Sequence, residues 1–373
     1  MKNKLLIYTF FAYMPVSVIA TFFPLQLKQF GLDETICGFV LSIPFIIALF
    51  FQGLWGRFAD IKLGHKKTLI ICFILCAVLM FLMGRITDSV FFVIAYTVFY
   101  FFFIPIQPMS DAISTKSGQN YGRIRLWGTL GFIIISGITG FLAKDNLKVI
   151  FLICTFIFVI CLCLAFSFPE DKKTENNKTK QTVWLVLKNP RLLLLYAVAV
   201  VVNATVSIQG AFFGIYFVNT LGFSTSLLGI QAMLRLVMEI PFLFFADKLA
   251  AKINPKIMIF LSVVLTGVRM LIIGVSNNLF VILSSCLILG ATYIVIHYYL
   301  VKIGAEAAGE EKNGRIQSVN TLMTNLPRIA GTLAGGYFVS AFGYNVLSGF
   351  MGVFLIVCSL VLILIPVKYD KIK

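Results

Sequence analysis

The sequence predicts an all-α membrane protein of twelve transmembrane helices in two pseudo-symmetric six-helix bundles. Composition, a ladder of apolar runs and one polar stretch near the middle carry that prediction. Of the 373 residues, 60% are apolar and 12% charged, and mean hydropathy is +0.97. That balance excludes an ordinary soluble domain. The stretch 169–191, PEDKKTENNKTKQTVWLVLKNPR, is the only long charged segment. It has too little apolar surface to order itself, so it reads as a cytoplasmic linker between bundles 1–168 and 192–373. Its Trp184-Leu185-Val186-Leu187 portion could lie on a membrane surface before the next span.

A spanning helix needs about 20 mostly apolar residues. The run 5–27 is uncharged and gives the first. Runs 35–56, 68–84, 89–110, 126–143 and 149–168 complete six. The run 192–235 is too long for one span and breaks at 219–224, where Gly222 and Ser224 signal a turn and a helix start. Runs 257–276 and 279–301 flank a tight Ser276-Asn277-Asn278 turn, and 316–341 and 345–366 are hinged at Gly343-Tyr344-Asn345.

Loop charges orient the ladder. With a cytoplasmic N-terminus, twenty-four of the 31 Lys and Arg fall on the inner side. The outer loops hold only Lys28, Arg85, Lys144 and Lys148. This bias places both termini in the cytoplasm of a multi-pass plasma or inner-membrane protein. The net charge of +16 is thus orientation, not nucleic-acid binding. Met1-Lys-Asn-Lys leads straight into a full-length apolar run, which predicts a first span rather than a cleaved leader. All eight cysteines sit inside apolar runs without a CxxC spacing, so they read as small hydrophobes.

The two halves repeat. Gly31-Leu32-Asp33 followed by Gly38 matches Gly222-Phe223-Ser224 followed by Gly229, and in each a short polar residue caps the second helix of its half. Ala59-Asp60-Ile61-Lys62 matches Ala246-Asp247-Lys248 at the inner end of those helices. Parallel repeats around a central linker are a pattern of secondary transporters, which bind substrate near the midplane between halves.

Gly56-x3-Asp60-Ile61-Lys62-Leu63-Gly64-His65-Lys66-Lys67 resembles the loop motif of the major facilitator superfamily, with one extra residue between Asp60 and Gly64. The resemblance implies a gating latch built from Asp60, Lys62, Lys66 and Lys67, with Asp247 as its counterpart. An acid at a helix end beside a basic hairpin is a switchable ion pair, although a stop-transfer turn would also explain the lysines. Tyr121-Gly122-Arg123-Ile124-Arg125-Leu126-Trp127-Gly128-Thr129-Leu130-Gly131-Phe132 resembles the start of the fifth helix in the proton-symporter subfamily of phenylpropionate, lactose and nucleoside permeases. Arg125 then matches a substrate-holding arginine. Gln107 stands where lactose permease has that arginine's glutamate partner, and Phe132 where it has a stacking tryptophan, which argues against a galactoside. Asp111 matches an acidic family position. Without the resemblance, Arg125 reads equally as an anchor that snorkels to the surface.

Charges inside the membrane say more, because each costs about 2.5–3.5 kcal/mol at a helix centre. The second half holds Arg235, Glu239, Arg269, His297 and Arg328. At 1.5 Å per residue, the three arginines lie roughly 18 Å from the inner ends of their helices and share a level. Glu239 shares a face with Arg235 at i, i+4. The resemblance assigns proton coupling to Glu239 and His297 and substrate contact to Arg269. Arg235 and Arg328 have no family counterpart and are candidate substrate ligands. The structural alternatives are a Glu239 pair with Arg235 or Arg269, an interfacial His297, and an ion-paired Arg328 in a helix closely packed through Gly331, Gly335 and Gly336.

No metal spacing, nucleophile motif or phosphate loop appears, so no enzyme, cofactor or metal is expected. The expected function is secondary active transport of a small organic solute by alternating access, as a monomer coupled to H+ and working as an uptake system. A small carboxylate is favoured, because the arginines outnumber Glu239 and a guanidinium binds a carboxylate through two parallel hydrogen bonds. A sugar or nucleoside is the alternative substrate. The alternative functions are a proton-driven exporter of drugs or metabolites, disfavoured by a fifth helix without a Gly-Pro-Pro-Gly motif, and a membrane sensor that has lost transport.

Overall fold

The computed structural model describes residues 2–116, 121–168, 190–308 and 313–365, and their regular structure is helical throughout. Residues 169–189 of the expected linker lie outside that description. The first span is Lys2–Ala12 continued by Met14–Gln29. It is interrupted at Tyr13 because Pro15 offers no amide to the carbonyl one turn back. The second, Glu34–Phe58, starts on the Asp33 carboxylate, which accepts from the Ile36 amide at 2.7 Å. It runs on through a π-helical turn, Ala59–Leu63, closed by the Gly64 amide donating to the Ala59 carbonyl at 2.8 Å. A π turn holds one residue more than an α turn, and so absorbs the extra residue between Asp60 and Gly64.

The third span is His65–Met83. The fourth is Ser89–Phe103 and Ile106–Lys116, broken at Pro105. Tyr121–Leu142 and Val149–Phe166 are the fifth and sixth. The seventh, Pro190–Ile215, ends in a second π turn, Tyr216–Thr220. The eighth is Thr225–Val237 and Glu239–Lys252, broken at Met238. Pro255–Val275, Leu279–Ala308, Asn313–Phe342 and Tyr344–Leu364 complete the expected twelve. Gly31 and Gly222 turn the chain at φ 74° and 73°, a region open to glycine, so the repeat seen in sequence recurs in the backbone.

Among the described residues, eleven of the twelve are long and apolar enough to cross a membrane. The exception is Asn313–Phe342, whose first half carries Asn320, Thr321, Thr324, Asn325 and Arg328. Polarity of that kind inside a span is tolerated where it faces protein or water. All eight cysteines are free thiols, most of them buried.

The chain forms two compact units, Met1–Asn177 with Phe213–Met233, and Lys178–Phe212 with Leu234–Lys373. They depart from the sequence halves at 213–233. There the start of the eighth span lies on the fifth through glycine: a Cβ at Gly229 would sit 2.4 Å from the Ser136 carbonyl oxygen. The Thr225 and Ser226 hydroxyls donate to the Gly140 carbonyl at 3.1 and 3.3 Å. Hydrophobic burial does not drive helices together in lipid, so close backbone approach and such hydrogen bonds do. The rest of the first unit packs an aromatic core in which Phe23 meets Phe92, Tyr96 and Phe151. In the second unit the ninth and twelfth spans are packed through glycine: a Cβ on Gly267 would lie 2.9 Å from the Gly352 carbonyl oxygen.

Candidate functional site

In the first unit, polar side chains from three spans meet at Tyr13. The break at that residue and the break at Pro105 both lie beside the cluster, which centres its ring and Gln107. Gln107 Nε2 donates to the Tyr13 hydroxyl at 2.6 Å. The half-buried Arg125 guanidinium lies 4.1 Å from the Tyr13 ring centre, a cation–π contact worth about 0.5–2 kcal/mol. Glycine permits the approach. A Cβ on Gly128 would come within 2.6 Å of the Tyr13 ring, and one on Gly131 within 2.0 Å of the Phe10 carbonyl oxygen. One turn deeper, Ser17 Oγ donates to the Phe132 carbonyl at 3.2 Å and pairs with Ser136 Oγ at 2.5 Å. Asp111 is within electrostatic range of both Tyr8 and Tyr13. Arg125 and Gln107 thus meet at a tyrosine that the sequence reading did not single out, and the Phe132 carbonyl meets Ser17 one turn along the first span.

In the second unit the corresponding meeting point is Tyr293. Arg328 Nη2 donates to its hydroxyl at 2.7 Å, and Arg328 Nε donates to Asn203 Oδ1 at 3.1 Å. The seventh, tenth and eleventh spans are tied together there. The Arg235 guanidinium lies 6.0 Å from the Tyr293 ring centre. It is also within electrostatic range of Glu239 and Arg269. Gly290 explains the placement: a Cβ there would be 1.8 Å from the Arg235 carbonyl oxygen and 3.4 Å from the Glu239 amide. Arg235 and Glu239 therefore lie against the tenth span beside Tyr293. Arg269 is wholly buried, with Nη2 3.9 Å from Cys286 Sγ. His297 is exposed, and its ring stacks on Tyr293 with centroids 6.5 Å apart.

The structure thus brings Arg328, Arg235 and His297 to one tyrosine, with Glu239 and Arg269 within electrostatic range of Arg235. Forked cationic donors beside hydroxyl and amide groups can hold an anion or a hydroxyl-rich solute.

Asp60 Oδ1 lies 3.4 Å from His65 Nε2, and Lys62 Nζ sits over the Phe58 ring at 5.9 Å. Lys66 is half-buried and Lys67 exposed in the first turn of the third span. The side chain of Asp247 lies outside the described residues.

Sequence reasoning missed Tyr13, Asn203, Tyr293 and His65. A signal for the second cluster was present. Arg125-Leu126-Trp127-Gly128-Thr129-Leu130-Gly131 is repeated as Arg328-Ile329-Ala330-Gly331-Thr332-Leu333-Ala334. Both glycines do the same work: Gly128 admits Tyr13 of the first span, and Gly331 admits Ala204 of the seventh, whose Cα would lie 2.9 Å from an added Cβ. Tyr13 and Ala204 are themselves equivalent in the register that matches Gly31 to Gly222.

Residues 3–350 match the model of the MFS_1 like family. An uncharacterized transporter, YwbF, of Bacillus subtilis is 27% identical over 63% of this chain, a match that covers 60% of that relative. A probable 3-phenylpropionic acid transporter of Escherichia coli is 26% identical over 66% of this chain and 67% of its own length. Further relatives include sugar and multidrug transporters. A crystal structure of the nucleoside transporter NupG superposes with a TM-score of 0.84 over 97% of this chain and 98% of that one, at 17% identity. The chain belongs to the MFS_1 like family and is a multi-pass membrane transporter of the major facilitator superfamily, not an enzyme.

Proposed function

We propose that this transporter moves a small carboxylate into the cell by alternating access of its two six-helix halves, 1–168 and 192–373, coupled to H+. One observation carries the substrate class: Arg328 and Arg235 both meet Tyr293, and Arg235 is within electrostatic range of Glu239 and Arg269. A carboxylate matches the guanidinium fork through two parallel hydrogen bonds. Arg125 with Gln107 and Phe132 offers a further contact from the first half. In this reading the Glu239 carboxyl carries the proton, with His297, which stacks on Tyr293, as its partner in coupling. Asp60, Lys62, Lys66 and Lys67, with Asp247 in the second half, act as the inner gate, and His65 joins them. Charge bias in the loops supports cytoplasmic termini.

The relative described as a probable 3-phenylpropionic acid transporter favours an acid. The multidrug relatives favour a second reading, proton-driven export. Uptake of labelled carboxylates, nucleosides and oligosaccharides into cells, with and without a protonophore, separates them. Accumulation of an acid that collapses with protonophore is expected. Protonophore-stimulated accumulation of any substrate would instead establish export.

A further inference from the structure

The second unit contains an apolar cavity of about 230 Å³ that the transport reading does not use. Leu194, Val198 and Val201 of the seventh span, Val263 of the ninth, and Val357 and Ile365 of the twelfth are among its lining residues. It is larger than the roughly 150 Å³ apolar cavity that stays dry and takes up benzene. Val357, Val361 and Ala197 are exposed, so the cavity opens on the outer apolar face of the twelfth span, beside exposed Val353 and Leu364.

Its dimensions follow the helices. From Val357 to Ile365 the twelfth span rises about 12 Å, and from Leu194 to Val201 the seventh rises about 10 Å. One leaflet of a bilayer core is about 15 Å deep, so the cavity runs along most of one leaflet. Its end at the membrane edge is charged. Lys256 Nζ donates to the carbonyls of Ile363 and Ile365 at 2.9 and 2.6 Å, and Ile365 lines the cavity. An ammonium has three donors, and two of them cap the carbonyls that end the twelfth span. Lys252, two residues before Asn254, adds an exposed cation four residues before the half-buried Lys256.

We propose that this cavity seats one acyl chain of an anionic glycerophospholipid, with the lipid phosphate at Lys256. An apolar trough open to the bilayer, as deep as a leaflet and positive at its mouth, complements a lipid tail and its headgroup. The transported solute has no polar contact to gain there beyond Ser359, whose hydroxyl already donates to the Ile356 carbonyl at 2.6 Å.

Native mass spectrometry of the purified full-length chain, incubated with equal dioleoylphosphatidylglycerol and dioleoylphosphatidylcholine, tests this. Phosphatidylglycerol should be retained about fivefold over phosphatidylcholine, the effect of one lysine beside an anionic headgroup. Lys256→Gln keeps a donor for the carbonyls and loses the charge, so it should bring the two lipids level. Val201→Phe fills the cavity and should lower retention of both lipids. Val201→Leu should do so by less, and keeps the test open if the larger side chain does not fold. Equal retention of the two lipids by the unmodified chain overturns the headgroup assignment. Undiminished retention by a folded Val201 variant overturns the cavity as the seat.

Discussion

Tyr293→Phe removes one oxygen and leaves the ring that faces Arg235. The lost hydroxyl accepts from Arg328 Nη2 at 2.7 Å. A hydrogen bond to a charged group contributes about 1.5–3 kcal/mol. Asn203 Oδ1 still accepts from Arg328 Nε at 3.1 Å, so the arginine keeps one tether and the cost belongs at the lower end. About 1.5 kcal/mol corresponds to roughly tenfold weaker substrate binding, if Tyr293 positions Arg328 for the substrate. Arg328→Lys keeps the charge and loses the fork. In that background the tyrosine hydroxyl no longer has a guanidinium to hold, so Tyr293→Phe should add little. The coupling energy between the two substitutions should therefore be about 1 kcal/mol or more. Half-maximal inhibition of uptake by unlabelled substrate, measured for the chain, both single variants and the double variant, yields that energy. Additivity within about 0.5 kcal/mol would mean independent sites and would refute Tyr293 as the residue that positions Arg328. Thermal melting of each detergent-purified variant serves as the control for packing.

Glu239→Gln should abolish uphill accumulation while sparing exchange of labelled for unlabelled substrate; accumulation against a gradient by this variant would remove Glu239 from the coupling role. Arg269→Lys should weaken binding by about tenfold or more, about 1.4 kcal/mol, and carboxylates should compete for uptake better than their amides, with equal competition counting against an anionic substrate. Gly290→Ala places a methyl 1.8 Å from the Arg235 carbonyl oxygen and should cost about 1–3 kcal/mol in stability. Gly349→Ala, with nothing within 4 Å of the new methyl, should stay within about 0.5 kcal/mol, and equal melting temperatures for the two would contradict the close crossing at Gly290. Asp60→Asn should loosen the inner gate, read as faster labelling of inner-cavity cysteines by an impermeant thiol reagent from the cytoplasmic side; unchanged labelling would sink that role.

The spans were legible because hydropathy alone marks what lipid will accept. Their interruptions were legible only in part. Pro105 and Pro15 announce breaks, yet which side chains those breaks bring together depends on partners more than ninety residues away, as with Gln107 and Tyr13. Periodicity within one run cannot supply that. The eleventh span expected from the sequence is present as Asn313–Phe342 but is too polar to qualify by hydropathy. Arg328, read from sequence as a substrate ligand or half of an ion pair, donates to groups on two other spans that sequence did not single out. His65 lies 3.4 Å from Asp60 across the π turn. Loop spacing showed an extra residue there but not the turn that houses it.

The repeat reaches the side chains, and its failures are as informative as its matches. In both units an arginine from the fifth helix of a repeat leads an Arg-x-x-Gly-Thr-Leu run, and its glycine admits the first helix of that repeat. Arg125 meets a tyrosine of the first helix, and a glutamine of the fourth donates to that tyrosine. Arg328 meets an asparagine of the first helix and a tyrosine of the fourth. The backbone plan is shared while the chemistry has changed places, which is what close packing through glycine allows. Glu239 has no acidic equivalent at its depth: the register that matches Gly31 to Gly222 sets Ser42 opposite Met233 and Ala48 opposite Glu239. A proton step built on Glu239 therefore belongs to the second unit alone. The first unit sets a neutral Gln107 against its arginine's tyrosine, with Asp111 the acid within electrostatic range of that ring.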